Sequence, residues 1–227
     1  MTSTLERIRG MRGLLYRKLA DRAEEERKKK ERMQLKLPGF EVTKMQHTAE
    51  FPNFKDMSEV DVTYPLIEPF AYANIKWDNE NKELVYNVVE PEISEKDAKL
   101  LEKLSESLIE LVDVELSAVK DEDKIVDYLE KQISRIIKEY GIDITGDKYT
   151  KIMYYIYRNF VGFNEIEPFL QDPNIEDISC DGVGAPMYVV HRKFGSLKTN
   201  VVLNDMEYLR EFIVKLSERS GRYVSYA

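Results

Sequence analysis

Residues 165–203 read EIEPFLQDPNIEDISCDGVGAPMYVVHRKFGSLKTNVVL, and how this stretch folds decides how the rest of the chain is arranged. Leu197, Thr199, Val201 and Leu203 alternate with Lys198, Asn200 and Val202, a period of two that turns one face to a core and the other to water. Pro186 to His191 reads as the partner strand. Between them Arg192, Lys193, Phe194, Gly195 and Ser196 form a short Gly-containing connection of the kind used by a hairpin with a bulge or a three-to-five-residue loop. Two cations therefore sit at an exposed tip. Upstream, Asp172-Pro173-Asn174 is a turn by its chemistry, because Asp and Asn bond their own backbone and Pro presets φ; Asp181-Gly182-Val183-Gly184 is another. Ile175 to Cys180 is then a short strand bracketed by turns.

Downstream, Asn204 reads as the cap of a last helix in which Leu209, Phe212, Ile213 and Leu216 face inward and Gly221 closes the element. The chain then runs through Tyr223-Val224-Ser225-Tyr226-Ala227, which reads as a strand cut in mid-course and predicts a domain truncated at its C-terminal end. Upstream, three amphipathic helices follow one another. Ser94 caps the first, with Ala98, Leu101, Leu104, Leu108 and Leu111 on one face and Asp97 placed near the positive end of the dipole. Asp121 to Tyr140 repeats the pattern through Ile125, Leu129, Ile133 and Ile136, with Gly141 at its end. Asp147 to Phe160 carries Tyr149, Ile152, Met153, Ile156 and Tyr157. Before them, residues 70–75 and 84–89 suit two strands joined by the turn Asp78-Asn79-Glu80-Asn81.

The fold class is therefore α+β: an N-terminal helical region and a three-helix bundle with a β-hairpin, followed by a small antiparallel-sheet α/β subdomain. The expected divisions are 1–36, a basic amphipathic helix or arm; 37–65, a linker marked by Pro38, Gly39, Pro52 and Pro65; 66–162, hairpin plus three helices; and 163–227, the α/β subdomain. In the arm Leu5, Ile8, Met11, Leu15 and Leu19 form an apolar stripe. Arg7, Arg9, Arg12, Arg17, Lys18 and Arg22 lie among them as candidates for docking on a partner or an anionic membrane, while a helix packed on its own domain fits the same pattern.

With 227 residues and 43% hydrophobic content, the chain can fill a core. Residues 1–36 hold 12 basic and 6 acidic side chains, a local +6 that leaves −14 on the remainder of a chain whose total is −8. An acidic body argues against nucleic acid as a partner. One cysteine excludes an internal disulfide, and the start lacks a signal peptide's apolar core, so a cytoplasmic location is expected.

In order and spacing, Pro168-Phe169-Leu170, Asp172-Pro173, Ile175-Glu176-Asp177-Ile178, Asp181-Gly182 and Tyr188-Val189-Val190-His191 resemble the N-terminal domain of the type II and type IV secretion ATPases. The likeness is strongest to the archaeal branch, the archaellum motor ATPase and its pilus-assembly and secretion relatives. It runs from about Tyr154 to Ser225 and extends weakly to Tyr86-Asn87-Val88-Val89-Glu90-Pro91. The resemblance implies a hexameric ring in which ATP and magnesium act in a C-terminal domain. In that ring this part is a lever and docking surface for its own ATPase domain, neighbouring subunits and a membrane platform or accessory motor protein, at the inner face of the membrane. An adaptor with the same fold and no motor is the alternative.

No stretch reads Gly-x-x-x-x-Gly-Lys followed by Ser or Thr, so the chain has no such loop of backbone N–H groups to hold phosphates, and no cofactor is expected in this fragment. Cys180 reads as a small inward residue, which disfavours a nucleophile–base pair with His191. Asp172, Glu176, Asp177 and Asp181 form a carboxylate cluster, but turn duties occupy two of them, and neither a metal site nor a catalytic residue is assigned. The candidates for nucleotide contact are Arg192 and Lys193 at the hairpin tip and Arg219 and Arg222 beside Gly221, since a guanidinium can grip two phosphate oxygens at once. Solvated surface charges or ion pairs between subunits are the other reading of all four.

Overall fold

The computed structural model describes residues 37–111 and 122–221. Seven strands make one sheet in the order β1-β2-β3-β4-β7-β6-β5. They are β1 (Thr43–Lys44), β2 (Asp61–Glu68), β3 (Ala71–Asp78), β4 (Glu83–Val89), β5 (Ile175–Ser179), β6 (Pro186–His191) and β7 (Gly195–Val202). The helices are α1 (Glu95–Leu111), α2 (Glu122–Glu139), α3 (Gly146–Ile156), the short α4 (Glu167–Leu170) and α5 (Met206–Arg219). The fold is α+β.

Both expected hairpins are present. Tyr72 pairs with Val89 and Asp78 with Glu83 across β3 and β4, and Asp78 Oδ1 accepts the Glu80 N–H at 2.8 Å to close their turn. In the β6–β7 hairpin Val189 faces Leu197 and His191 faces Gly195, whose φ of +74° is open to glycine at little cost. The two hairpins meet where β4 lies parallel to β7, Val85 opposite Lys198 and Tyr86 opposite Thr199. Asn200 extends that seam with its side chain: Oδ1 accepts from Val88 N and Nδ2 donates to Val88 O, both at 2.9 Å. One sheet thus runs across the boundary expected at residues 162 and 163, and one of its pairings is parallel.

The segment 37–65, expected as a linker, supplies β1 and the first part of β2 and buries Phe40, Val60 and Tyr64. Pro65 obscured the strand. It interrupts the donor pattern, and the structure answers with a register shift between Pro65 and Ile67, a bulge that accommodates the missing N–H.

Helices α1, α2 and α3 pack as their apolar faces require, burying Leu104 and Leu108, then Leu129, Ile133, Ile136 and Ile137, then Tyr149, Ile152, Met153, Tyr154 and Ile156. Ser94 and Asp97 form the start of α1, with the Asp97 N–H donating to Ser94 Oγ at 3.2 Å. The cap of α5 is Asp205, not the expected Asn204: its carboxylate accepts the Tyr208 N–H at 2.7 Å. Gly141 ends α2 at φ +61°. Beyond Ile156, α3 widens into a π-turn over Tyr157–Val161.

Ile133 is fully buried and Ile109 is 67% exposed, although both lie on amphipathic helices. Ile133→Ala is expected to cost about 2–5 kcal/mol in urea unfolding and Ile109→Ala less than about 0.5 kcal/mol.

Candidate functional site

Three knots of polar side chains lie around the sheet, and they determine what the candidate cations can do. The first forms under the β6–β7 tip. Asp172, 3% exposed, accepts the Tyr64 hydroxyl at 2.6 Å and the Tyr86 hydroxyl at 2.8 Å on Oδ2; Oδ1 accepts the Asn174 N–H at 2.9 Å and Nδ2 at 2.8 Å. Four donors satisfy the buried carboxylate. Burial, with Asp172 adding, pushes the Tyr64 and Tyr86 hydroxyls far above their ordinary range, so both remain protonated donors. His191, buried as well, sits with Nε2 3.4 Å from the Tyr64 hydroxyl, and its Nδ1 accepts the Lys193 N–H at 3.1 Å and the Phe194 N–H at 3.3 Å.

The second knot joins the end of β4 to the π-turn. Arg158, which the sequence reading passed over, is 7% exposed and grips both oxygens of Glu90 through Nη1 at 2.9 Å while Nη2 donates to Glu165 at 3.2 Å. Burial opposes its charge, but Glu90 and Glu165 outweigh it and raise its pKa. Glu165 also accepts the Tyr208 hydroxyl of α5 at 2.6 Å. A signal was available: an Arg four residues after Tyr154 falls on the helix's apolar face, where a guanidinium requires partners.

The third knot fastens α5. Arg219 donates to the carbonyls of Val161 and Gly162 at 2.7 Å and of Phe160 at 2.8 Å, and lies over the Phe163 ring at 4.9 Å. Lys215 donates to Asn159 O at 2.5 Å and to the Asn164 side chain. Burial, with Arg219 adding, pulls the Lys215 ammonium down to about 8. These cations occupy the carbonyl end of the π-turn, where a helix dipole is negative. Gly162 is required there: a Cβ would stand 2.7 Å from the Glu167 side chain, whose carboxylate holds the Phe163 N–H at 2.9 Å.

The candidate nucleotide contacts are therefore dispersed. Arg192 is exposed and only loosely paired with Glu176 at 3.4 Å. Lys193 Nζ is bound to the carbonyls of Phe51 at 2.9 Å and Pro52 at 2.7 Å. Arg219 shares no partner with either. Arg222 and the arm candidates Arg7, Arg9, Arg12, Arg17, Lys18 and Arg22 lie outside the described residues. A shallow cleft of about 840 Å3, lined by Pro69, Phe70, Tyr72, Glu90 and Lys151 among others, includes none of Arg192, Lys193 and Arg219.

Cys180 is exposed, not inward as expected, and the β5–β6 register sets Ile175 opposite His191, five positions away from the cysteine. Asp172 faces the core while Glu176, Asp177 and Asp181 face water. Among the described residues no group of three or more His, Cys, Asp or Glu could hold a metal ion, and no helix is long and apolar enough to cross a membrane.

Residues 17–92 match the family described as PilB3-like, N-terminal, which supports the N-terminal domain of a secretion ATPase, PilB being a type IV pilus ATPase. The match takes in β1 to β4, the half of the sheet opposite the β5–β7 wording that carried the resemblance. The chain is 31% identical over 174 residues to uncharacterized protein MJ1288 of Methanocaldococcus jannaschii, covering 77% of this chain and 69% of that one, and it belongs to the same family. Uncharacterized protein MJ0900 of the same organism is 28% identical over 193 residues, 75% of this chain but 34% of its own length.

Asp172→Ala would leave two buried hydroxyls and the Asn174 amide without their acceptor. Urea unfolding is expected to show a loss of about 3–5 kcal/mol, each of the three orphaned groups costing about 1 kcal/mol or more, with Arg192→Ala unchanged within error.

Proposed function

We propose that this chain is the N-terminal lever and docking domain of a hexameric secretion-superfamily ATPase, in the branch that powers archaellum assembly or rotation, pilus assembly or protein export. The match of residues 17–92 to the PilB3-like N-terminal family carries this reading. The length of MJ0900, roughly twice that of MJ1288 by the shares aligned, supports it, because a second module of ordinary domain size fits in the remainder. ATP and magnesium belong to that second module, and its contacts with this domain, with neighbouring subunits and with a membrane platform protein transmit the movement. Arg192 supports a contact role best, since it alone of the three described cations is not consumed by backbone carbonyls. The basic arm engages the membrane or an accessory partner at the inner face.

A rigid body suits a lever. The sequence Tyr208–Glu165–Arg158–Glu90 links α5 to the end of β4 through side chains held at 2.6 to 3.2 Å, so a push on the helix reaches the sheet without slack.

A second reading is favoured by MJ1288, a relative of which this chain spans 69%: an adaptor with the same fold and no motor. Two measurements separate them. The purified chain is expected to show no ATP turnover; sustained hydrolysis would overturn the lever assignment. In cells of the source organism, an antibody to the chain is expected to detect a product roughly two and a half times 26.6 kDa, the proportion MJ0900 bears to this chain by the share aligned, whereas a band at 26.6 kDa itself supports the adaptor. Deleting residues 1–36 and scoring swimming, adhesion and secretion separately assigns the branch, with loss of swimming alone marking the archaellum.

A further inference from the structure

Lys193 ties the β6–β7 tip to the segment around Phe51, and both meet the buried imidazole of His191. The Phe51 ring stacks edge-on against His191 at 5.3 Å, Tyr64 at 5.3 Å and Phe194 at 5.4 Å, and the Phe194 ring lies 5.0 Å from His191. Two backbone N–H groups point at His191 Nδ1, so that nitrogen must carry a lone pair and the ring proton resides on Nε2, toward the Tyr64 oxygen. The Tyr64 hydroxyl in turn donates to Asp172.

We propose that His191 is a proton-operated latch: protonation at Nδ1 removes the acceptor for the Lys193 and Phe194 N–H groups, so the tip opens and releases the Phe51–Phe54 segment held by Lys193. The two sides of the ring respond oppositely to a proton. On the Nε2 side the Asp172 carboxylate, one hydroxyl away, stabilises an imidazolium. On the Nδ1 side a new N–H would face two existing ones, and that repulsion is relieved only by moving the tip. The groups that face the ring are Tyr64 from β2, Asp172 from the turn before β5, Tyr86 from β4 by way of Asp172, and Lys193 from the tip; the segment before β2 presents the uncharged ring of Phe51. Phe54 covers the outer side of Phe194 at 6.3 Å, and the Lys193 ammonium lies 5.9 Å from the rings of both Phe51 and Phe54.

Burial lowers the His191 pKa below its ordinary 6.5; Asp172 opposes this and Lys193 adds to it. The open tip therefore takes up a proton more readily than the closed one. The closed form is fully favoured above about pH 6.5, and its advantage falls about tenfold per pH unit until the closed-state pKa is reached.

The test is amide exchange and NMR on the full chain between about pH 7.5 and about pH 4.5, which brackets an ordinary histidine. Corrected for the intrinsic rate, protection of the Lys193 and Phe194 amides is expected to fall about tenfold per pH unit from about pH 6.5 and to level off at the midpoint of the His191 ring shifts, while core amides such as Ile75 and Val189 remain protected. In His191→Asn an amide oxygen can take the place of Nδ1 without titrating, and protection there is expected to be independent of pH. The latch is overturned if the two amides stay protected while the ring titrates, if His191→Asn opens with the same midpoint, or if the core amides are lost together with the tip. Should His191→Asn fail to fold, coincidence of the ring midpoint with the pH at which the fall in amide protection levels off decides the matter alone in the unaltered chain.

Discussion

Two parallel pairings, Val85 with Lys198 and Tyr86 with Thr199, hold together a sheet whose halves are separated by the whole of residues 90–174. So short a seam is weak by itself, since each ladder bond contributes only about 1 kcal/mol net. The structure reinforces it from both sides. Asn200 continues the ladder with a side-chain amide, and Asp172 gathers hydroxyls from β2 and β4 to the turn that opens β5. The half containing β1 to β4, which matches the PilB3-like N-terminal family, and the half containing β5 to β7 share one sheet for this reason.

The chain's cations follow the same logic. In a body with an excess of acid, a buried guanidinium or ammonium is tolerated only where carboxylates or carbonyls receive every face of it. Arg158 is the buried case, held by Glu90 and Glu165; the half-buried Lys215 and the exposed Arg219 lie on the carbonyl end of the π-turn, and the exposed Lys193 on the carbonyls of Phe51 and Pro52. Lys193 and Arg219, two of the four candidates for phosphate contact, are bound to backbone carbonyls in the folded chain. Helix α5 shows the consequence: only Phe212 is buried, so polar contacts and half-buried apolar side chains do most of the holding. Such a helix moves with whatever the π-turn and Arg158 are attached to, and for the proposed lever that attachment is the end of β4.

Much of the architecture was legible in the linear chain. Period-two alternation identified β7 and its hairpin, and apolar spacing of three and four identified α1 to α3, because both signals are local and survive any choice of neighbours. That no Gly-x-x-x-x-Gly-Lys pattern occurs was equally plain. What could not be read was anything set by two distant segments at once. Pro65 hid β2 until a bulge and the β3 strand explained it, and residues 37–65 looked like a linker because Phe40, Phe51 and Phe54 carry no period.

Sequence alone thus determined the class of each element, the acidic body with its basic start, and that no Gly-x-x-x-x-Gly-Lys pattern occurs in these residues, all properties of composition or of residues within a few positions of one another. The tertiary structure decided which carbonyls and carboxylates the described cations meet, where Asp172 and His191 point, and that two hairpins become one sheet. These depend on pairings most of whose partners are 51 to 142 positions apart, a separation at which side-chain chemistry gives no signal until packing has chosen the neighbours.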